Sequence, residues 1–126
     1  MPLEPGLAAS FPHEVTDADT AVALGSGDVP VLATPRCVAL AERATCAAVA
    51  GHIPDDMTTV GTRVELDHVA PTPVGETVTV DAVLEAVDGR RLTFGVRVRD
   101  AERAVASGTV QRVLVTREKF LRAAGH

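Results

Sequence analysis

The chain has 126 residues, 46% of them apolar, and a formal net charge of −5 from 12 basic and 17 acidic side chains. That is enough apolar material for one packed domain spanning residues 1–126, and it excludes a disordered or fibrous chain. The acidic balance repels phosphate backbones and argues against a nucleic-acid binder. The only aromatics are Phe11, Phe94 and Phe120, so the core is expected to be aliphatic.

No run of about 18 apolar residues occurs, so no membrane span is expected. The opening stretch has neither a basic start nor an apolar centre, so a secretory signal is not expected and a cytoplasmic location is. Cys37 and Cys46 fall on one predicted helix, on opposite faces and about 13 Å apart along its axis. A disulfide needs Cα atoms within about 7 Å, so they are read as two buried, reduced thiols. There is no CxxC pair and no His/Cys cluster at zinc-ligand spacing, so no metal is expected.

In chain order, residues 10–15 alternate, with Phe11, His13 and Val15 on one face of a first strand. Thr16, Asp17 and Asp19 supply the cap and first-turn acids of a short helix through about Leu24. Gly25-Ser26-Gly27-Asp28 breaks it, and lacks the GKS or GKT of a phosphate loop. Thr34-Pro35 is the clearest helix start, with Thr34 as cap and Pro35 at the first helical position. The alanine-rich helix then runs from Arg36 to Ala50 and stops at Gly51.

The pattern next switches to period two. Residues 60–70 place Val60, Thr62, Val64, Leu66, His68 and Ala70 on one face and Arg63, Glu65 and Asp67 on the other. Pro71-Thr-Pro73-Val-Gly75 ends this strand. Residues 77–87 follow, with Val78, Val80, Ala82, Leu84 and Ala86 inward. An Asp88-Gly89 hairpin leads to a strand with Leu92, Phe94, Val96 and Val98 inward. A last strand at about 103–115 and a short helix from Arg117 to Ala124 complete the chain. Connections this short require antiparallel pairing. The fold class is α+β: about five antiparallel strands and one long apolar helix to cover them.

Four polar side chains fall on faces assigned to the core. Glu42 shares its helical stripe with Val38, Cys46 and Val49; Arg36 and Arg43 lie on a different one. A carboxylate in an apolar strip is costly unless it is paired or used. His68 is on the inward face at a strand end, where sites open to solvent. Thr34 can be a cap only, or a cap whose hydroxyl also meets a ligand. Arg112 shares the face of Ala104, Ala106, Gly108, Val110 and Leu114, where it either snorkels to the rim or meets a carbonyl or anionic ligand.

Together these residues resemble a known family. Thr34-Pro35 opening an alanine-rich helix, Glu42 eight residues on, Val-Gly-Thr-x-Val-x-x-x-His68, and Pro-Thr-Pro-Val-Gly are similar to hot-dog-fold acyl-CoA thioesterases of the fluoroacetyl-CoA thioesterase-like family. Val-Asp-Gly-Arg-Arg-Leu-Thr-Phe, Ser107-Gly-Thr109 and Glu118-Lys-Phe120 extend the resemblance. It implies a long helix wrapped by a curved antiparallel sheet, in a homodimer or higher homo-oligomer with active sites at the interface. It implies catalytic roles for Thr34, Glu42 and His68, substrate binding by Gly61 and Arg112, and a thioester of coenzyme A or an acyl carrier as substrate. It calls for no separate cofactor. The family's phenylalanine-rich lid has no counterpart here: Ala23–Pro30 contains no Phe. A short or medium acyl chain other than a fluorinated one is therefore expected.

Within one regular helix Thr34 and Glu42 lie about 12 Å apart along the axis, so direct contact is not expected. Either the helix start is irregular or the pocket spans two chains. On this reading Glu42 is the nucleophile or the base on water, and His68, paired with Glu42, relays the proton to the departing thiolate. Thr34 orients, and the Gly61 N–H holds the carbonyl oxygen. Rival readings are a hot-dog protein that binds an acyl thioester or small apolar ligand without cleaving it, a hydratase, and a structural dimer in which Glu42 and His68 only bond each other.

Overall fold

The computed structural model describes residues 2–125. Five strands form one antiparallel sheet: β1 (Ala8–Glu14), β2 (Met57–His68), β3 (Thr77–Asp88), β4 (Arg91–Arg99) and β5 (Ala104–Thr116), in the spatial order β1-β3-β4-β5-β2. The helices are α1 (Ala21–Leu24), α2 (Thr34–Val49) and α3 (Arg117–Ala123). Helix α2 lies across the inner face of the sheet, touching all five strands. None of the helices is long and apolar enough to cross a membrane.

The core is aliphatic, as the composition requires. Leu32, Leu40 and Val49 meet Val78, Val80, Leu84, Leu92, Val98, Val105 and Val110, with Phe94 as the one fully buried aromatic. Ala41, Ala44 and Ala48 are among the buried residues of α2, and their short side chains let it sit close to the strands. Phe11 is half-buried, and the Arg43 guanidinium lies 4.5 Å from its ring centre.

The period-two pattern fails where the strand register shifts. One shift lies between Gly61 and Arg63 of β2, where Thr62 is the extra residue. Before it the odd residue Thr59 is buried; after it Val64, Leu66 and His68 are the inward set. The even positions therefore do not share one face, and Thr62 is exposed. A second shift, between Leu84 and Ala86, leaves Ala86 exposed rather than inward. Ala104 is exposed too, whereas Val105 is buried, because the β4–β5 register shifts next to it. In the β3–β4 hairpin Asp88 pairs with Arg91, so the loop is Gly89-Arg90, one residue later than an Asp-Gly loop.

Other local differences have equally local causes. The segment after β1 splits into a 3-10 turn, Asp17–Asp19, and α1, because Thr20 adopts an extended conformation and caps α1 through its hydroxyl. Cys37 is buried but Cys46 is exposed; both are free. Gly108 faces the β2 backbone so closely that a Cβ there would strike the Glu65 carbonyl. Glycine at 108 thus leaves room for the β2 main chain beside it.

Candidate active site

Helix α2 carries two polar clusters about two turns apart. The first is at its start. Ala33, not Thr34, is the N-cap, and Thr34 is the first helical residue. The cause lies in the preceding segment. The Ala33 N–H donates to the Asp19 carbonyl at 2.9 Å, the Leu32 N–H to the Thr72 carbonyl at 2.8 Å, and the Ala21 N–H to the Val31 carbonyl at 3.0 Å. With Ala33 fixed this way, the Thr34 hydroxyl is not committed to capping. It bonds His68 Nδ1 at 2.8 Å. The other ring nitrogen, Nε2, lies 3.8 Å from Cys37 Sγ. Burial holds the His68 imidazole below its ordinary value, with the Ala70 backbone pulling the other way, so the neutral ring is favoured. A cleft of about 350 Å³ opens here, lined among others by Asp28, Val29, Ala33, Thr34, His68 and Val69.

Asp19 braces this end. Its carboxylate accepts hydrogen bonds from the Thr16 N–H at 2.8 Å and the Thr16 hydroxyl at 3.1 Å. His13 Nε2 lies at 2.9 Å and Arg36 Nε at 3.1 Å. Burial works to raise the Asp19 carboxyl, but the Thr16 backbone and His13 outweigh it and leave it below its usual range. One buried carboxylate thus ties β1, the 3-10 turn and the first turn of α2 together. The local pattern marks Asp19 as a first-turn acid but does not mark His13 and Arg36 as its partners.

The second cluster surrounds Glu42. Arg112 is buried and donates from Nη1 to Glu42 Oε2 at 3.0 Å. Its remaining contacts go to Thr59: Nε to the hydroxyl at 2.9 Å and Nη2 to the carbonyl at 3.0 Å. Gly61 pairs with Arg112 across the β2–β5 ladder. A Cβ at Gly61 would land on the Glu42 carboxylate, so only glycine leaves that oxygen its place. The strip around Glu42 is less enclosed than its composition suggests: Val38 is half-buried, Cys46 exposed, and the Glu42 side chain itself 35% exposed.

The expected residues therefore fall into two sets. Thr34 and His68 come together, and Glu42, Gly61 and Arg112 come together. Glu42 and His68 do not bond each other within the chain. Arg112 neither snorkels nor faces open solvent; it holds the carboxylate. Thr59 and Cys37 belong to the clusters and were not singled out from the sequence, since a strand threonine and a buried thiol read as packing. Among the described residues no group of His, Cys, Asp and Glu is arranged to hold a metal. A further hollow of about 600 Å³ lies on the sheet's outer face around Gly95, away from both clusters; its carboxylate, Asp81, is already engaged by Ser10 and Arg99.

The profile of the fluoroacetyl-CoA-specific thioesterase family matches residues 15–118. The chain belongs to this family. A fluoroacetyl-CoA thioesterase from Streptantibioticus cattleyicolor is 40% identical over 90 residues, which are 71% of this chain and 65% of that protein. The match thus spans just under two thirds of the curated relative's length. A solved fluoroacetyl-CoA thioesterase superposes with a TM-score of 0.90 at 32% identity, covering 97% of this chain and 95% of that one. A variant of the fluoroacetyl-CoA-specific thioesterase solved with fluoroacetate and CoA gives 0.86 at 33% identity, covering 94% and 99%. A hot-dog-like protein from Thermanaerovibrio acidaminovorans, at 21% identity, gives 0.88 over 95% of this chain and 89% of that one. The helix-wrapping sheet of this family member is the hot-dog fold, as the sequence resemblance implied.

Proposed function

We propose that this chain is an acyl-CoA thioesterase that hydrolyses a short or medium acyl thioester, acting as a cytoplasmic homodimer. The observation that carries the reading is the Thr34 hydroxyl bonded to the His68 imidazole at the mouth of a cleft, in a member of a thioesterase family. The carrier is coenzyme A or an acyl carrier protein. The chemistry draws on side chains, backbone and water.

The separation of the two clusters supports a site built from two chains. Strand β2 ends the sheet and presents an open edge, and both Gly61 and His68 lie on it. A twofold pairing of this edge sets the Thr34–His68 cluster of one chain against Glu42 of the partner subunit. Glu42 then attacks the thioester carbonyl carbon, or takes a proton from the water that does. In the water route the C–S bond breaks and the proton that Glu42 took from water passes through His68 to the departing sulfur; in the attack route the thiolate leaves first, and water then opens the acyl-Glu anhydride and supplies the proton that His68 passes to the sulfur. Water ends as the new carboxylate oxygen, so acyl acid and free thiol are the products. Thr34 keeps His68 or the water in line. Arg112 fixes the Glu42 carboxylate, and the Gly61 N–H, unshielded by a side chain, supports the carbonyl oxygen as charge develops. The segment before Thr34 exposes Val22, Leu24 and Val29 and contains no aromatic, which favours an aliphatic acyl group.

The test is thiol release from a panel of acyl-CoA esters graded by chain length and polarity. Turnover of a short or medium member is expected. One observation favours a second reading, a binding protein: the Glu42 carboxylate is already held by Arg112. Saturable binding across the panel with no thiol released would establish that instead.

A further inference from the structure

We infer that Cys37 is a positioning residue for His68: its sulfur accepts the imidazole Nε2–H and thereby turns the Nδ1 lone pair toward Thr34 and the cleft. The inference rests on the proton-relay role proposed above for His68.

Thr34 and Cys37 are three residues apart on α2, so they occupy neighbouring places on one helix face. The ring of His68, the last residue of β2, reaches across that turn. One nitrogen meets each: Nδ1 lies 2.8 Å from Thr34 Oγ1, and Nε2 lies 3.8 Å from Cys37 Sγ. The two partners differ in surroundings. Cys37 is wholly buried, whereas Thr34 is exposed and lines the cleft. Nε2 therefore faces the core, and Nδ1 faces the cleft.

A neutral imidazole has one N–H and one lone pair, so the two contacts are of opposite kind. A separation of 2.8 Å fits a hydroxyl donating to Nδ1 and an Nδ1–H donating to the hydroxyl alike; the relay role needs the lone pair on the cleft side, which puts the N–H on Nε2. Among the hydrogen bonds of the described residues the partner of that N–H is the Cys37 sulfur, with the Ala70 backbone also acting on the ring. Burial pushes the Cys37 thiol up to about 11, so the contact is to a neutral thiol and leaves no ionic charge in the core. The reverse arrangement turns the lone pair toward the core, and the cleft-side nitrogen then has no means of accepting a proton. Helical position and thiol thus select the tautomer, much as a carboxylate does in other catalytic histidines. Here the orienting partner is uncharged.

The measurement is the nitrogen-15 imidazole spectrum of the full chain, with His68 identified by the signals lost in His68→Ala. The native protein is expected to show the proton on Nε2. In Cys37→Ala the two tautomers should mix, and kcat for thiol release should fall about tenfold with KM nearly unchanged, the effect of losing one hydrogen bond. Cys37→Ser, whose hydroxyl also accepts, should restore both the tautomer and kcat. A proton on Nδ1 in the native chain overturns the inference without recourse to any variant. An unchanged tautomer in a folded Cys37→Ala protein overturns it too. If no acyl-CoA is cleaved yet the native and variant spectra behave as expected, the orienting role stands and the thioesterase reading falls.

Discussion

The two ends of the functional stretch of α2 are built on opposite principles. At its start, Thr34 and His68 form a neutral cluster, fixed by main-chain bonds around Ala33 and by a buried thiol. Two turns later, Glu42 and Arg112 form a charged pair, fixed by a strand bulge and a glycine that clears space for the carboxylate. The first is tied into the core and opens on a cleft; the second leaves its carboxylate partly open. The lesson is that one helix can hold two polar clusters apart, one neutral and one charged, each in its own environment.

The largest effects should come from removing the reactive group of either end. Glu42→Gln and His68→Ala should each cut turnover by at least about 100-fold, the usual scale of acid–base contributions. Steady-state thiol release on folded variants checks this, and near-native rates in either would dissolve the contrast. Gly61→Ala should follow, lowering kcat by about tenfold or more because its methyl displaces the Glu42 carboxylate from its donors. Since Gly61 is exposed, its urea midpoint should stay close to native, and a large stability loss with normal kcat would argue against this explanation. Arg112→Met tests the charged end through stability. It strands the Thr59 carbonyl and hydroxyl and should cost about 1–3 kcal/mol, read as a lower denaturation midpoint. The half-open Glu42 adds little to that cost, since solvent screens it.

The smallest effect sharpens the neutral end. His68 lies below its ordinary value of 6.5, and in the proposed mechanism the free base is the form that takes the proton. Activity should therefore persist as pH falls through 6.5 and be lost only at lower pH, when the ring finally takes its proton. The stability sign agrees: the unfolded chain binds this proton first, so acid weakens the fold progressively from about 6.5 downward. The pH profile of kcat/KM checks the first point. An acidic limb at or above 6.5 would place His68 in a different environment.

Much of the fold was legible because the period-two runs around Val78, Leu92 and Val110 are long and the Thr34-Pro35 start is unambiguous. The bulges were not, since nothing in an alternating pattern marks Thr62 as a residue that leaves the ladder. That one residue decides which side Gly61 and Thr59 face, and with it the company Glu42 keeps. The Glu42–Arg112 contact joins residues 70 apart and depends on the β2–β5 register, which periodicity alone does not supply. Thr34 was read as a cap because its type and place allow it; the Asp19 carbonyl, reached through a nonlocal bond to Ala33, relieves it of that duty. The individual polar residues out of place were visible, but their grouping required three dimensions.

The account depends on a single site assembled across two chains, and mixed dimers test that directly. Co-expressing Glu42→Gln with His68→Ala chains, each inactive alone, places an intact Glu42 opposite an intact His68 at one of the two sites of every mixed dimer. Random pairing by twofold symmetry should then restore about one quarter of native thiol release. If the co-expressed chains form mixed dimers and remain as inactive as either parent, the two clusters do not meet across an interface and the account is wrong.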